Sequence, residues 1–205
     1  PILLFEVRPT AVADLYTGAI GNVPFAVAAG AGLRANDTDP DGDALTVTAG
    51  TFATSQGGSV TIAADGSFTY RSPLGFEGAD TFSYTLSDGF LTAPGSATVN
   101  VAEVVWFVDS ASAAGGSGRS EAPFQTVAAF NAIQGAGPTP AQVDDYVSVR
   151  DRGATYAGAI TLLAGQRLWG SGEALVIGST TVLAASTRPI LQAGSGATVT
   201  VATGN

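Results

Sequence analysis

Between Asn36 and Asp43 the chain reads Asn-Asp-Thr-Asp-Pro-Asp-Gly-Asp, so Asp37, Asp39, Asp41 and Asp43 put four carboxylates at alternate positions within seven residues. At that spacing like charges repel one another unless a cation intervenes. The run supplies oxygen donors only, and no nitrogen or sulfur donor stands nearby. Such a set suits a hard ion, and calcium, which takes six to eight oxygen ligands, is the natural occupant. Asp, Pro and Gly are also the ordinary turn formers, so a solvated Asp-rich turn is the competing reading. Asp88, followed by Gly89, is a weaker candidate of the same kind.

The D-x-D-x-D-G order resembles the first half of an EF-hand loop, but no helix follows it and no bidentate glutamate stands at the right offset. Thiol and imidazole chemistry is excluded by composition. With no cysteine and no histidine, the chain has no disulfide, no thiolate or imidazole metal site and no Ser-His-Asp triad. Asp144-Asp145 with Asp151 could be taken for a carboxylate pair, yet neighbours on one strand face opposite ways, which favours a solvated turn before a core strand. Arg150 and Arg152 share a face and could serve as a lyase-like base, but nothing accompanies them. Gly115 to Gly118 is no phosphate loop, since no lysine follows it.

The formal charge is −9, and all eight basic residues are arginine. An acidic chain without clustered cations excludes nucleic acid as a partner and repels anionic lipid. The charge is uneven: residues 1–103 hold eleven acidic and three basic residues, residues 104–205 six and five. The apolar runs fall far short of the ~20 residues that a membrane span needs. A chain that begins at Pro1 rather than Met reads as a processed or excised segment.

The elements that must position the acidic run are strands. Leu45–Thr48, Ser59–Ile62, Ser67–Tyr70, Thr81–Leu86 and Ala97–Val101 alternate apolar with Thr or Ser, the period of a half-buried strand. Asp65-Gly66 between two of them signals a hairpin. About seven strands in about 95 residues fit an antiparallel β-sandwich. Phe68 with Tyr70, and Phe82 with Tyr84, fall on the same face and, with Tyr16, read as core rather than as a carbohydrate-stacking platform.

At Val104 the pattern changes. Val104–Val108 is apolar throughout, as in a strand buried on both faces. Apolar residues at Phe124, Val127, Phe130 and Ile133, with Ser120 as cap and Pro123 in the first turn, predict one short helix. Strands return at Tyr146–Val149, Ala159–Leu162, Gln166–Trp169 and Ala174–Ile177, then around Val182, Ile190-Leu191 and Val199–Val201, separated by Gly-containing corners, with Trp169 at one of them. This spacing suggests solenoid coils.

Five blocks resemble the bacterial cadherin-like, immunoglobulin-like repeats of secreted adhesins: Arg8–Tyr16, Leu33–Leu45, Asp65–Tyr70, Gly75–Phe82 and Ser87–Gly89. The resemblance implies a calcium-binding sandwich over residues 1–103, with Asp14 joining Asn36, Asp37, Asp39, Asp41, Asp43 and Asp88 as metal ligands. Trp106–Ser110, the Gly-Ser run, Ala122–Thr126, Asp145–Val149 and Gly158–Gly172 resemble the opening of pectin-lyase-like surface proteins. That implies the cap, capping helix and first two or three coils of a right-handed parallel β-helix over residues 104–205. The expectation is therefore an all-β, non-catalytic structural or adhesive segment of a secreted bacterial cell-surface protein. Its partners would be other copies of itself or other surface proteins, assembling into a filament or layer, or carbohydrate. The alternative is the truncated N-terminal part of a polysaccharide-binding or -degrading enzyme.

Overall fold

The computed structural model describes residues 6–135, 140–150, 156–170, 174–177, 180–183 and 199–201. In chain order its elements are β1 (Asp14–Gly21), β2 (Phe25–Val27), β3 (Thr46–Val47), β4 (Gly50–Ala53), β5 (Ser59–Ile62), β6 (Phe68–Arg71), β7 (Gly78–Ser87) and β8 (Thr92–Asp109). There follow the helix α1 (Val127–Asn131), β9 (Tyr146–Arg150), β10 (Ile160–Leu162), β11 (Arg167–Gly170), β12 (Leu175–Ile177), β13 (Thr180–Leu183) and β14 (Val199–Val201). The strand expected at Ile190-Leu191 lies outside the described residues. The chain forms two compact units: Pro1–Ala19, Pro24–Pro73 and Gly78–Val101 make the first, and Ile20–Val23, Leu74–Glu77 and Ala102–Asn205 the second.

The first unit is antiparallel. β7 pairs with β8 from Gly78↔Val101 to Ser87↔Thr92, and β3 pairs with β7. A second sheet runs in the order β2-β6-β5-β4. Alternation decides what each strand buries: Asp80, Phe82, Tyr84 and Leu86 of β7 are buried, whereas Thr81, Ser83 and Thr85 are exposed. The inner faces meet through Phe68 and Phe82, whose rings lie 5.7 Å apart, and Tyr16 meets Phe68 at 4.8 Å, both edge-on. Each such ring, fully buried, stabilises the fold by about 1.5–3 kcal/mol. The β5–β6 hairpin turns at Asp65-Gly66, where Asp65 Oδ1 accepts from Ser67 N at 3.0 Å.

The second unit pairs its strands in parallel except at β12 and β13, which pair antiparallel (Val176↔Thr181, Ile177↔Thr180) where the sequence suggests a coil corner. β9 pairs with β8 (Val105↔Tyr146 to Asp109↔Arg150) and with β11 (Tyr146↔Arg167 to Val149↔Gly170). The central strands bury both faces, as their unbroken apolar character requires. One face supplies Trp106, Val108, Val147 and Val149 to a cluster completed by Phe124, Val127, Phe130, Tyr156, Ile160 and Leu162. The other supplies Val105 and Phe107 to a cluster with Ile20 and Leu175, against which Tyr146 and Trp169 pack. β10 pairs in parallel with β14.

Two details differ from the sequence reading. Ala97–Val101 and Val104–Val108 are one strand, β8, because neither Ala102 nor Glu103 breaks an extended backbone. The helix starts at Val127, capped by Thr126 Oγ1, which accepts from Ala129 N at 3.2 Å. Phe124 does not join the helix because β8 claims its backbone: Phe124 N donates to Phe107 O at 2.8 Å and Phe124 O accepts from Asp109 N at 2.8 Å.

Candidate metal centre

The seven acidic and amide candidates fall into two local groups, both in the first unit. Asp14 opens β1, and Asp37 lies in the loop after Leu33. Both face the hydroxyl of Tyr84 on β7, Asp14 Oδ2 at 3.0 Å and Asp37 Oδ2 at 3.2 Å, and the carbonyl of Leu33 stands 2.9 Å from the same hydroxyl. Tyr84 reaches this point because its register partner on β8 is Gly95, where a Cβ would come within 2.2 Å of the tyrosine ring. A hydroxyl has one proton to give. Three acceptor oxygens surround it, so at most one of these contacts is a donated hydrogen bond.

Burial, which disfavours the charged form, pushes Asp14 up to about 6 and raises Asp37 above the usual carboxylate range. The same burial, with Asp14 beside them, raises the hydroxyls of Tyr16 and Tyr84 above the ordinary tyrosine range. Asp37 Oδ1 accepts from Val12 N at 2.7 Å, and the exposed Asn36 sends its Nδ2 toward Val12 O at 3.5 Å.

In the second group Asp39 organises its own loop. Its Oδ1 accepts from Asp41 N at 2.9 Å and from Asp43 N at 3.1 Å, while Asp41 Oδ2 accepts from Val7 N at 2.6 Å. Asp88 does the same for the β7–β8 turn, its Oδ1 accepting from Phe90 N at 2.7 Å and Leu91 N at 2.6 Å. In each residue the other oxygen, Oδ2, is buried without a hydrogen-bond partner. Partial desolvation and the carboxylates of Asp43, Asp41, Asp88 and Asp39 raise Glu6, which places these groups in one electrostatic neighbourhood. Among the described residues, no set of three or more acidic side chains is positioned as it stands to hold a metal ion. What both groups offer a hard cation is acceptor oxygen in excess of donor protons.

One functional-looking carboxylate was missed in the sequence. Asp80, fully buried on β7, accepts from Thr54 Oγ1 at 2.5 Å, Ser55 Oγ at 3.0 Å, Gln56 N at 2.9 Å and Tyr70 OH at 2.9 Å. Gly58 makes room for it, since a Cβ there would stand 3.1 Å from Asp80 Oδ2 and 2.6 Å from Arg71 O. Four donors satisfy this carboxylate and leave no call for a cation. Its signal was its parity: Asp80 shares the inward face with Phe82, Tyr84 and Leu86. Tyr70 and Tyr84 behave likewise, with core rings whose hydroxyls end on the buried carboxylates of Asp80 and Asp14.

In the second unit Asp145 does not sit in the solvated turn that the sequence suggests. It is buried, and its Oδ2 accepts from Trp106 Nε1 at 2.7 Å and Gln142 N at 2.7 Å. Burial raises it above the usual range despite these donors. Asp144 takes a positive φ of 71° in the turn before it. Arg150 lies 3.8 Å from Asp109 and over the ring of Phe107. Asp151 and Arg152 lie outside the described residues. In the Gly-Ser run, Gly118 O accepts from Phe107 N, a structural role.

Residues 7–103 match the family model of the bacterial cadherin-like domain. None of the curated proteins compared matches the chain. Among solved structures, 46% of the chain aligns with a variant of the endo-fucoidan hydrolase MfFcnA4 from glycoside hydrolase family 107 (19% identity, TM-score 0.35, 13% of that chain). The same share aligns with endo-fucoidan hydrolase MfFcnA9 of that family (18% identity, TM-score 0.31, 16% of that chain). The chain thus spans well under a fifth of the length of these enzymes. The all-β architecture, with almost no helix and several sheets, is consistent with a cadherin-like sandwich over the matched residues, a module of adhesive or structural type. Bacterial cadherin-like domains occur in extracellular proteins, and among the described residues no helix is long and apolar enough to cross a membrane.

Proposed function

We propose that the chain is a non-catalytic structural segment of a secreted bacterial cell-surface protein, in which calcium stiffens the cadherin-like unit and the second unit begins a right-handed parallel β-helix. The observation that carries the calcium reading is the Tyr84 hydroxyl, with one proton and three acceptor oxygens around it. The partnerless Oδ2 atoms of Asp39 and Asp88 point the same way. A divalent oxygen-seeking ion relieves this surplus, whereas a bland turn leaves it uncompensated. Asp14, Asn36 and Asp37 would hold one ion, and Asp39, Asp41, Asp43 and Asp88 a second. Support for the β-helix comes from the in-register parallel passes of β8, β9 and β11, each placing alternate residues in two cores. A sandwich joined to such a stack suits a spacer that carries load or presents a surface, with other copies or other surface proteins as partners.

The test is calorimetric titration with calcium together with thermal melting in calcium and in chelator. Binding to the folded state alone adds about 3 kcal/mol at a hundredfold excess over the dissociation constant. Asp37→Asn should remove most of that gain. No heat of binding and an unchanged melting temperature would sink the proposal.

A further inference from the structure

A strand at the edge of a sheet presents unpaired N–H and C=O groups that template the addition of another chain. One edge of β10 is occupied by β14, with Ile160↔Val199, Thr161↔Thr200 and Leu162↔Val201. The other edge meets side chains from α1 and the turn after it. Asn131 Nδ2 donates to Ala159 O at 2.8 Å, and Asn131 Oδ1 accepts from Thr161 N at 2.9 Å. In a parallel ladder, a residue opposite Ile160 donates its N–H to the carbonyl of residue 159 and accepts at its carbonyl from the N–H of residue 161. The carboxamide of Asn131 fills those two slots. Gln134 extends the pattern, its Nε2 donating to Thr161 O at 2.8 Å.

Gln134 is itself held in place. It forms a reciprocal amide pair with Gln166, at 2.9 Å one way and 3.0 Å the other. Gln166, nine-tenths buried, is anchored by Leu163 N at 2.9 Å and Gln142 O at 2.7 Å. Every donor and acceptor of the Gln166 amide is thereby used. Gln134 is thus fixed through a buried partner whose hydrogen bonds are complete.

We propose that Asn131 and Gln134 are edge-blocking residues: they occupy the strand-addition slots of β10 and so keep a second copy of this chain from pairing there. The occupant excluded is a β-strand of another copy, because the slots are backbone-specific and indifferent to sequence, and, resting on the self-association proposed above, identical chains are the strands at highest local concentration.

The test uses the full chain with Asn131→Ala/Gln134→Ala, and Asn131→Asp as a gentler change that can still accept from Thr161 N but cannot donate to Ala159 O. Amide exchange is followed at Thr161, with light scattering to report association. In the double variant at low micromolar concentration, Thr161 should exchange roughly tenfold faster than in the unaltered chain, the loss expected for one hydrogen bond. As concentration rises, protection should return together with a mass increase, since a second copy takes the slots. Asn131→Asp should keep Thr161 protected and associate less. If the double variant fails to fold, by loss of the Trp106 environment, Asn131→Asp decides: association equal to that of the unaltered chain overturns the proposal. So does a folded double variant with unchanged Thr161 exchange, or one with faster exchange that never regains protection on concentration.

Discussion

The two units differ in the chemistry of their most connected polar side chains. In the first they are carboxylates facing hydroxyls and backbone: Asp80 on Thr54, Ser55, Gln56 and Tyr70, and Asp14 with Asp37 around Tyr84. In the second the network is of carboxamides, Asn131, Gln134 and Gln166, facing backbone and one another. An ionised carboxylate only accepts, whereas an amide both donates and accepts. Amides can close a network on themselves. Carboxylates must import donors or cations, and the first unit does this successfully at Asp80 and incompletely at Asp14, Asp37, Asp39 and Asp88.

The sharpest way to break this comparison is to spoil the completed carboxylate. Asp80→Ala strands the hydroxyls of Thr54 and Tyr70 in the core, and hydrogen bonds to a charged group are worth about 1.5–3 kcal/mol each, so a loss of at least about 3 kcal/mol is expected. Asp80→Asn should be nearly as costly, because its NH2 would face donors. Chemical denaturation followed by hydrogen exchange in β5–β7 measures it. Both tryptophans, Trp106 and Trp169, belong to the second unit, so their fluorescence should report that unit separately. A cost below about 1 kcal/mol would remove Asp80 as the structural counterpart of the open sites.

The incomplete sites should respond to protons. In chelator, burial holds Asp14 at about 6, against an ordinary value of 3.8. A carboxyl raised in the folded state gives stability that is complete below its unfolded pKa and is lost as pH rises through the folded one. The first unit should therefore melt at higher temperature at pH 5 than at pH 7. Asp14→Asn should flatten the dependence, and saturating calcium should reverse it, because the ion requires the ionised form. A chelated protein whose melting point falls between pH 7 and 5 would count against the Asp14 environment.

Much of the first unit was legible because alternation has a simple cause. Ser59–Ile62 is the strand that its Val60 and Ile62 demand, and Asp65-Gly66 is the turn between β5 and β6. The Asp37–Asp43 run was legible as a site of acceptors, but its division was not. Whether Asp37 turns toward Tyr84 while Asp39 turns into its own loop depends on where β7 brings Tyr84, which is a long-range contact. Asn131 was read only as part of a helix, because the pairing partner of its amide, Ala159–Thr161, lies about 30 residues away. The short helix itself was overextended: spacing counted Phe124 as apolar and in phase, but the backbone of β8 outbid the helix for it.

The smallest effect discriminates most finely. Asp145 is the second unit's own buried carboxylate, with two donors on one oxygen and with Glu103 and Asp144 nearby. Burial already disfavours its charge. Asp145→Asn keeps an oxygen for Trp106 Nε1 and Gln142 N and gives the neighbouring carboxylates a donor. It should cost less than about 1 kcal/mol at pH 7, in contrast to the same change at Asp80. Trp106→Phe removes the indole donor from a buried carboxyl and should cost about 1–3 kcal/mol. If Asp145→Asn proves as damaging as Asp80→Asn, the second unit depends on a charged carboxylate after all. The contrast between acceptor-rich and self-satisfied polar cores then fails at the residue where it is most exposed to test.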